Sequence, residues 1–184
     1  MDNIKINTNI TLPMPVTVVG SMQDDKPNFM AVGWVSRANA VPPMVTISVG
    51  KSHVTNNLIK TTGEFSLNVV SKEQVEKADF VGIYSADKQD KSRVFEVFYG
   101  ELKNAPMIKG AIVSAECKVV SHIDLETNTL FIAEIKEAWS QDKFISNKHI
   151  DYKNTGALIL TMPDNHYSLI GDSVAKAWKV GLIK

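Results

Sequence analysis

The chain has 184 residues, of which 44% are hydrophobic, and this length predicts a single domain with an ordinary core over residues 1–184. Its 20 basic and 20 acidic side chains cancel at pH 7, which excludes the excess positive charge expected of a nucleic-acid-binding protein. No apolar stretch approaches the roughly 18 residues that cross a bilayer, and the first residues lack a signal peptide's apolar core, so we expect no membrane partner.

Short apolar segments, rich in β-branched residues and bounded by turn residues, predict a mainly β protein. In chain order, the predicted strands cover residues 16–19, 29–35, 44–49, 65–70, 112–120, 130–138 and 157–161. Residues 124–128 join the fifth and sixth strands as a hairpin connection. Strands at such short spacing, with few helices between them, predict a barrel or a sandwich.

Two helices are predicted among these strands. The first covers about residues 54–60, with Ser52 or His53 as its N-cap, and ends near Gly63. The second covers about residues 72–82 and follows Ser71, a favourable N-cap residue. A short amphipathic helix around Trp178 is expected to pack against the barrel or a partner subunit.

The Gly50-Lys51-Ser52 tripeptide is similar to the end of a P-loop, so that motif has to be tested first. A P-loop needs a glycine five residues before Gly50 to wrap phosphates with backbone amides. Val45 occupies that position, inside a predicted strand. The motif fails, and the sequence therefore argues against a nucleotide hydrolase.

The turn is nevertheless suited to a single phosphate group. A strand runs into a helix whose first turn holds Ser52, His53 and Thr55, where unpaired backbone amides and the helix dipole attract anions. Lys51 adds a positive charge, and no acidic Mg²⁺ ligands stand nearby in the sequence. The alternative is simple N-capping by Ser52 or Thr55 beside a solvated lysine.

Between residues 29 and 40, small residues alternate with Trp34 and Arg37. Small side chains there would let a planar ring lie against the backbone, whose amides could bond the heteroatoms at the ring edge. Arg37 could stabilise negative charge that develops on a reduced ring. The alternative is a barrel strand with a core tryptophan, closed by a rigid turn at Pro42-Pro43.

Taken together, these segments resemble the flavin reductase-like family of FMN-binding split barrels. The matching segments are Pro13-Met14-Pro15-Val16, Asp25-Lys26-Pro27-Asn28-Phe29-Met30-Ala31-Val32-Gly33-Trp34, Ser36-Arg37-Ala38 with Pro42-Pro43, Ser52-His53-Val54-Thr55-Asn56-Asn57 with Ile59, and Gly63-Glu64-Phe65-Ser66-Leu67-Asn68. A weaker match continues at Asp90-Lys91-Ser92 and Glu116-Cys117. The resemblance implies a split β-barrel with a few short helices. A tryptophan at position 34 is more similar to the flavoredoxin and ferric-reductase branch than to the reductases of two-component monooxygenases.

The resemblance also implies which residues bind FMN. Ala31, Val32, Gly33 and Trp34 would lie along the ring, Ser36, Arg37 and Ala38 at its polar edge, and Lys51, Ser52, His53 and Thr55 at the phosphate. Lys91 is expected in a loop that meets the partner subunit, and Tyr167 is expected as a C-terminal contact. No side chain is required as an acid, base or nucleophile, because the cofactor supplies the redox chemistry.

The function that the resemblance implies is an FMN-binding oxidoreductase, most simply an NAD(P)H-dependent one, which passes electrons to an acceptor. Relatives are usually homodimers with FMN near the interface. A flavoredoxin-type electron carrier without nicotinamide turnover is the first alternative, and a non-redox β-barrel for a small apolar ligand is the second. The sequence contains no G-x-G-x-x-G motif, so a nicotinamide cofactor would not bind in a Rossmann fold.

The remaining chemically notable residues favour structural roles. Cys117 alternates with polar neighbours on a predicted strand and is expected to be a buried packing residue. As the only cysteine, it also predicts a reducing, cytoplasmic location. The histidines show no metal-ligand spacing, so no metal site is expected; they are His53, His122, His149 and His166.

Overall fold

The computed structural model describes residues 3–182, and fourteen strands and two α-helices lie within that range. The strands are β1 (Met14–Pro15), β2 (Thr17–Gln23), β3 (Lys26–Val32), β4 (Val35–Asn39), β5 (Met44–Gly50), β6 (Glu64–Val69), β7 (Val97–Phe98), β8 (Met107–Ile108), β9 (Val113–Asp124), β10 (Asn128–Trp139), β11 (Ile145–Ser146), β12 (His149–Ile150), β13 (Leu158–Thr161) and β14 (His166–Leu169). The helices are α1 (Val54–Thr62) and α2 (Val75–Ile83), with 3-10 turns at Lys72–Gln74 and Asp142–Phe144.

A seven-stranded antiparallel sheet in the order β3-β2-β6-β9-β10-β5-β4 forms the centre of the molecule. Strands β3 and β4 lie at its opposite edges, yet only Gly33 and Trp34 separate them along the chain. Because so short a link spans at most about 10 Å, the sheet has to curl until its two edges approach each other. The carbonyl of Trp34 then accepts a hydrogen bond from the Ser48 amide on β5 (3.0 Å), and the result is the expected split β-barrel.

Strand alternation buries both faces of the sheet. Successive side chains on a strand point to opposite faces, so Val19 joins the cluster inside the barrel while Val18 joins a second cluster on the outside. Phe29 belongs to the outer cluster, together with Ala78 and Val81 of α2. Helix α2 therefore covers the outer face of β2 and β3.

Helix α1 is joined to both the barrel core and the β9–β10 hairpin. Ile59 is buried in the inner cluster, and Gly63 ends the helix in the left-handed conformation, donating its N–H to the Ile59 carbonyl (2.9 Å). Lys60 forms an ion pair with Asp124 at the hairpin (2.7 Å). Hydrogen bonds from Lys60 and Thr129 lower the pKa of the Asp124 carboxyl to about 2.

All seven predicted strands are present in approximate place, as β2, β3, β5, β6, β9, β10 and β13, but one of their boundaries is wrong and the other seven strands, including β4, were not predicted. The strand predicted over residues 29–35 ends at Val32, because Gly33 and Trp34 form the link that crosses the gap in the barrel. Both predicted helices are present, and the second begins with a 3-10 turn after Ser71. The hairpin connection also lies where it is predicted, between β9 and β10.

The helix predicted around Trp178 is wrong. Residues 177–181 form turns, with the Lys179 amide bonded to the Lys176 carbonyl (3.3 Å). Trp178 has a positive φ of 57°, which an α-helix does not allow. Within residues 3–182, neither helix has the length and apolar character required to span a bilayer. The division of the chain into one domain stays a prediction.

Replacing Gly20 with alanine tests how tightly the sheet packs at its centre. Gly20 is buried on β2, and an added methyl group would collide with the Pro106 carbonyl and the Ser66 hydroxyl and press on Phe29. We expect Gly20→Ala to lower the free energy of unfolding by about 1–3 kcal/mol, the usual cost of overpacking. Urea denaturation followed by circular dichroism measures the change.

The matched control is Gly171→Ala, because a methyl group there would meet no described atom within 4 Å. If Gly20→Ala and Gly171→Ala have the same stability, the packing described around β2 is wrong.

Candidate functional site

A cleft of about 400 Å³ opens where the barrel is split, between β3 and the end of β5. We call it the main cleft. Its lining residues come from β1, from β3 and its link to β4, from β5 and the turn after it, from the β9–β10 turn and from β13; they are Met14, Met30, Ala31, Val32, Gly33, Trp34, Ser48, Gly50, Ser52, His53, Thr127, Asn128 and Leu160. Five separate parts of the chain therefore meet at this opening.

The wall formed by β3 and its link consists largely of backbone. In the described sheet, β3 lies at an edge and pairs with β2 alone, and the N–H and C=O groups along an open edge are free for other partners. Small residues keep this wall thin. A methyl group at Gly33 would lie 3.1 Å from Met14 Sδ, and one at Gly82 on α2 would lie 3.1 Å from Ala31 Cβ.

A smaller recess of about 60 Å³ lies beside the main cleft at the start of α1. We call it the helix recess; it is lined by Met30, His53, Val54, Thr55, residues 81–86 and Lys91. Met30 and His53 line both spaces. A ligand with a flat body and a short polar tail could therefore occupy the two together.

The first turn of α1 is open toward these spaces. His53 is the N-cap residue, with extended backbone angles, and no side chain among residues 3–182 caps the helix start. The Thr55 hydroxyl accepts a hydrogen bond from Asn28 Nδ2 (3.0 Å) instead of capping the helix. N-capping by Ser52 or Thr55, the alternative explanation of these residues, is therefore wrong. The Asn56 amide donates to the His53 carbonyl (3.0 Å), which leaves the amides of Val54 and Thr55 without a bond among the described residues. Free amides at a helix N-terminus favour an anion.

Lys91 adds a buried cation to the helix recess. Its side chain is only 5% exposed, and its Nζ donates to the carbonyls of Phe29 and Val81, both at 3.0 Å. Burial lowers the pKa of this lysine. None of the ion pairs within residues 3–182 involves it. A buried ammonium without a carboxylate partner is costly, so an anionic ligand here would be stabilising.

The structure brings together most, but not all, of the residues predicted to bind a cofactor. Ala31, Val32, Gly33, Trp34, Ser52 and His53 line the main cleft, and His53, Thr55 and Lys91 line the helix recess. Lys51 is exposed at the turn between them, with its amide bonded to the Thr127 carbonyl (2.9 Å). Their role in binding stays a prediction.

Ser36, Arg37 and Ala38 are not brought to the main cleft by the described chain. They lie on β4, the other edge strand, and are exposed. The Arg37 guanidinium folds back on its own loop, with Nε donating to the Asn39 carbonyl (2.7 Å). Because the chain turns at Gly33 and Trp34 and β4 then pairs with β5, these side chains lie away from the wall of the main cleft that β3 forms.

Tyr167 lies on β14, opposite Leu160 of the main cleft. Its hydroxyl donates to Asp79 on α2 (2.7 Å), and burial together with this carboxylate raises the pKa of Tyr167 to about 12. The contact joins the small β1-β13-β14 sheet to α2. Its predicted role as a ligand contact stays a prediction.

Sequence reasoning missed the lining residues that arrive through strand pairing. The register places Asn128 opposite Gly50 and Met14 opposite Leu160, so distant parts of the chain become neighbours. Only Met14 carried a signal, as part of the Pro13-Met14-Pro15 segment. Within residues 3–182, no group of three or more histidine, cysteine or acidic residues is arranged to hold a metal ion.

Comparison with known proteins places these features in a family. Residues 10–156 match the family model of the flavin reductase like domain. The fold is similar to a flavoredoxin structure from Methanosarcina acetivorans, at 46% identity, a TM-score of 0.96 and 98% coverage of both chains. It is also similar to the flavoredoxin of Desulfovibrio vulgaris (Miyazaki F), at 27% identity and a TM-score of 0.89, covering 99% of this chain and 100% of that one.

One of the sequence relatives is named as an enzyme. The NADH-dependent FAD reductase of Streptomyces globisporus is 27% identical over 124 residues, which cover 67% of this chain and 68% of that protein.

Because buried Lys91 forms no ion pair among the described residues, we expect inorganic phosphate to stabilise the protein. At about ten times its dissociation constant, phosphate should add about 1.4 kcal/mol and raise Tm by about 3–5 °C. We expect Lys91→Met to lower Tm, because two carbonyls lose their donor, and to abolish the response to phosphate. Differential scanning fluorimetry across a phosphate titration measures both effects.

The control is Lys88→Met, which removes an exposed lysine from the same loop and should leave the response intact. If phosphate still raises the Tm of Lys91→Met, Lys91 is not the cation that binds phosphate.

Proposed function

The chain belongs to the flavin reductase-like family, and on that premise we propose that it binds FMN and passes electrons through it from NAD(P)H or another reduced donor to an acceptor. The supporting observation is that the main cleft and the helix recess are neighbours and share Met30 and His53 in their lining. FMN combines a flat ring with a phosphorylated tail, and the two spaces match these two parts in chemical character.

The main cleft would hold the ring. The open edge of β3 offers backbone N–H and C=O groups to the heteroatoms of the ring edge, and Ala31 and Gly33 let the ring approach the backbone. Bound FMN supplies the chemistry, because a flavin accepts a hydride or single electrons reversibly. The part of these residues is to bind and orient the ring and to limit its exposure to water.

The helix recess would hold the phosphate. The amides of Val54 and Thr55 and the Thr55 hydroxyl would be donors, and Ser52 adds a hydroxyl at the adjoining edge of the main cleft. Lys91 supplies a buried positive charge and Lys51 an exposed one. Because burial weakens screening by water, the charge of Lys91 should contribute more to phosphate binding than that of Lys51.

FMN fits this arrangement better than FAD. The helix recess has a volume of only about 60 Å³, which suits a terminal phosphate and not a pyrophosphate that continues into a second nucleotide. One relative is named as a reductase of FAD, so the choice between the two flavins has to be measured on this chain.

An electron carrier without nicotinamide turnover is the second candidate function. The observation that favours it is the similarity to two flavoredoxins over nearly the whole chain, whereas the named NADH-dependent relative matches about two thirds of it. In this version a reduced protein partner would deliver the electrons.

A homodimer in the cytoplasm completes the proposal. Trp34, in the lining of the main cleft, is 56% exposed, and Val41 on the β4–β5 loop is 88% exposed; exposed apolar side chains that form a patch mark interaction sites. An interface that covers them would also bring Ser36, Arg37 and Ala38 of β4 toward the cofactor of the partner subunit. The one cysteine, Cys117, is buried and free, as suits a reducing compartment.

The first prediction is that the purified protein binds FMN and acquires a flavin spectrum. We expect Thr55→Ala and Lys51→Ala each to weaken FMN binding, by about tenfold or more for Thr55→Ala, because a hydrogen bond to a charged group contributes about 1.5–3 kcal/mol. Quenching of flavin fluorescence during titration gives the dissociation constants, with FAD titrated in parallel.

Lys88→Ala serves as the control for the loss of an exposed lysine. A protein that takes up neither FMN nor FAD would remove the basis of the proposal. Preference for FAD would overturn the choice of FMN alone.

The second prediction concerns the electron donor. Under anaerobic conditions, NADH or NADPH should bleach the visible absorbance of the bound flavin within the time of one turnover if the protein is a reductase. Absence of bleaching with both nucleotides, together with rapid bleaching by a reduced protein donor, would establish the carrier in its place. Stopped-flow absorbance separates the two outcomes.

A further inference from the structure

A buried amide lies directly behind Thr55. Asn28 on β3 is 2% exposed, and its Nδ2 donates to the hydroxyls of Ser21 (3.2 Å) and Thr55 (3.0 Å). Ser21 is on the neighbouring strand β2, and Thr55 is in the first turn of α1. Asn28 therefore links the open-edged strand of the main cleft to the helix that begins at the recess.

The direction of the bond to Thr55 determines what its hydroxyl can do next. A hydroxyl has one hydrogen to donate and two lone pairs that accept. Since Thr55 accepts from Asn28, its own hydrogen is not used in that bond. Among the described residues it makes no other hydrogen bond. The hydrogen is therefore available to an acceptor in the helix recess, which Thr55 lines.

The same arrangement leaves Asn28 Oδ1 without a partner. It is the one fully buried side-chain nitrogen or oxygen in residues 3–182 that lacks a hydrogen bond. An unsatisfied buried acceptor costs about 1–3 kcal/mol, and native proteins contain few of them. With the amide reversed, Oδ1 would accept from both hydroxyls, but the hydrogen of Thr55 would then be spent inside the protein. The amide orientation that leaves Asn28 Oδ1 without a partner is therefore also the one that keeps the hydrogen of the Thr55 hydroxyl free.

We propose that Asn28 is a positioning residue for phosphate recognition: by donating to Thr55 it turns the Thr55 hydroxyl outward as a donor to the phosphate monoester of the ligand. This inference rests on the proposed function and adds a residue to it. In this role Asn28 acts through Thr55, because its Nδ2 is engaged by the two hydroxyls and its Oδ1 is fully buried.

A specific consequence distinguishes positioning from simple support of the fold. Riboflavin has the same ring as FMN but no phosphate, so it does not use the Thr55 donor. Loss of Asn28 should therefore weaken FMN binding and leave riboflavin binding unchanged. A purely structural defect at the junction of β3 and α1 would weaken both flavins.

The experiment is a double-mutant cycle on full-length protein with Asn28→Leu, Thr55→Val and the double variant. FMN and riboflavin are titrated into each, and fluorescence quenching gives both affinities. We expect Asn28→Leu to reduce FMN affinity about tenfold, the equivalent of one hydrogen bond to a charged group, with riboflavin affinity unchanged. In the Thr55→Val background, Asn28→Leu should cause no further loss.

Two further variants keep the test decisive. Asn28→Asp serves as the test variant if Asn28→Leu does not fold. It is nearly isosteric but can only accept hydrogen bonds when ionised, so it would capture the hydrogen of Thr55 and should lower FMN affinity. Ser21→Ala removes the other partner of Asn28 without touching Thr55, and we expect it to preserve the ratio of FMN to riboflavin affinity.

Equal losses for FMN and riboflavin, or losses from Asn28→Leu and Thr55→Val that add in the double variant, would overturn the role of Asn28. A wild-type protein that strongly prefers FMN, with that preference kept in both Asn28 variants, would overturn it too and leave the proposed function intact. A wild-type protein that binds FMN no better than riboflavin would instead contradict the phosphate site itself.

Discussion

The two-residue link between β3 and β4 is the constraint from which the site follows. Because Gly33 and Trp34 must connect strands at opposite edges of a seven-stranded sheet, the sheet has to close on itself. Closure is incomplete, since β3 pairs with β2 alone among the described strands, and the gap becomes the main cleft. The link therefore connects the two edges of the barrel and also forms part of the wall against which a ring would lie.

The second determinant of the site is uncompensated polarity next to this gap. A buried ammonium at Lys91 and the free amides of Val54 and Thr55 line one small recess, and the unpartnered amide oxygen of Asn28 lies behind Thr55. Each feature is unfavourable in an empty protein interior, and the first two would become favourable beside an anion. Their concentration at one place supports a phosphate ligand more strongly than any one of them would.

Family membership and physical reasoning agree on the cofactor but contribute different parts of the argument. The family, together with similarity to flavoredoxins over nearly the full chain, makes a flavin the natural ligand. The cleft and recess explain how this sequence could hold it. The position of Ser36, Arg37 and Ala38 on the exposed edge strand β4 suggests that one chain supplies only part of the site, which is why a second subunit belongs to the proposal.

By itself, the sequence determined most of the secondary-structure elements. The alternation of residues 113–119, the helix-starting turn at Lys51–Thr55 and the glycine at position 63 depend on local preferences. Six of the seven barrel strands, all but β4, and both helices were predictable from such preferences. Tertiary structure decided which of these elements meet. The approach of Asn128 to Gly50 and the bond from Asn28 to Thr55 join residues that are distant in sequence, and the strand break at Gly33 follows from the closing of the sheet. No local preference encodes such contacts, because their energy exists only after the barrel has formed.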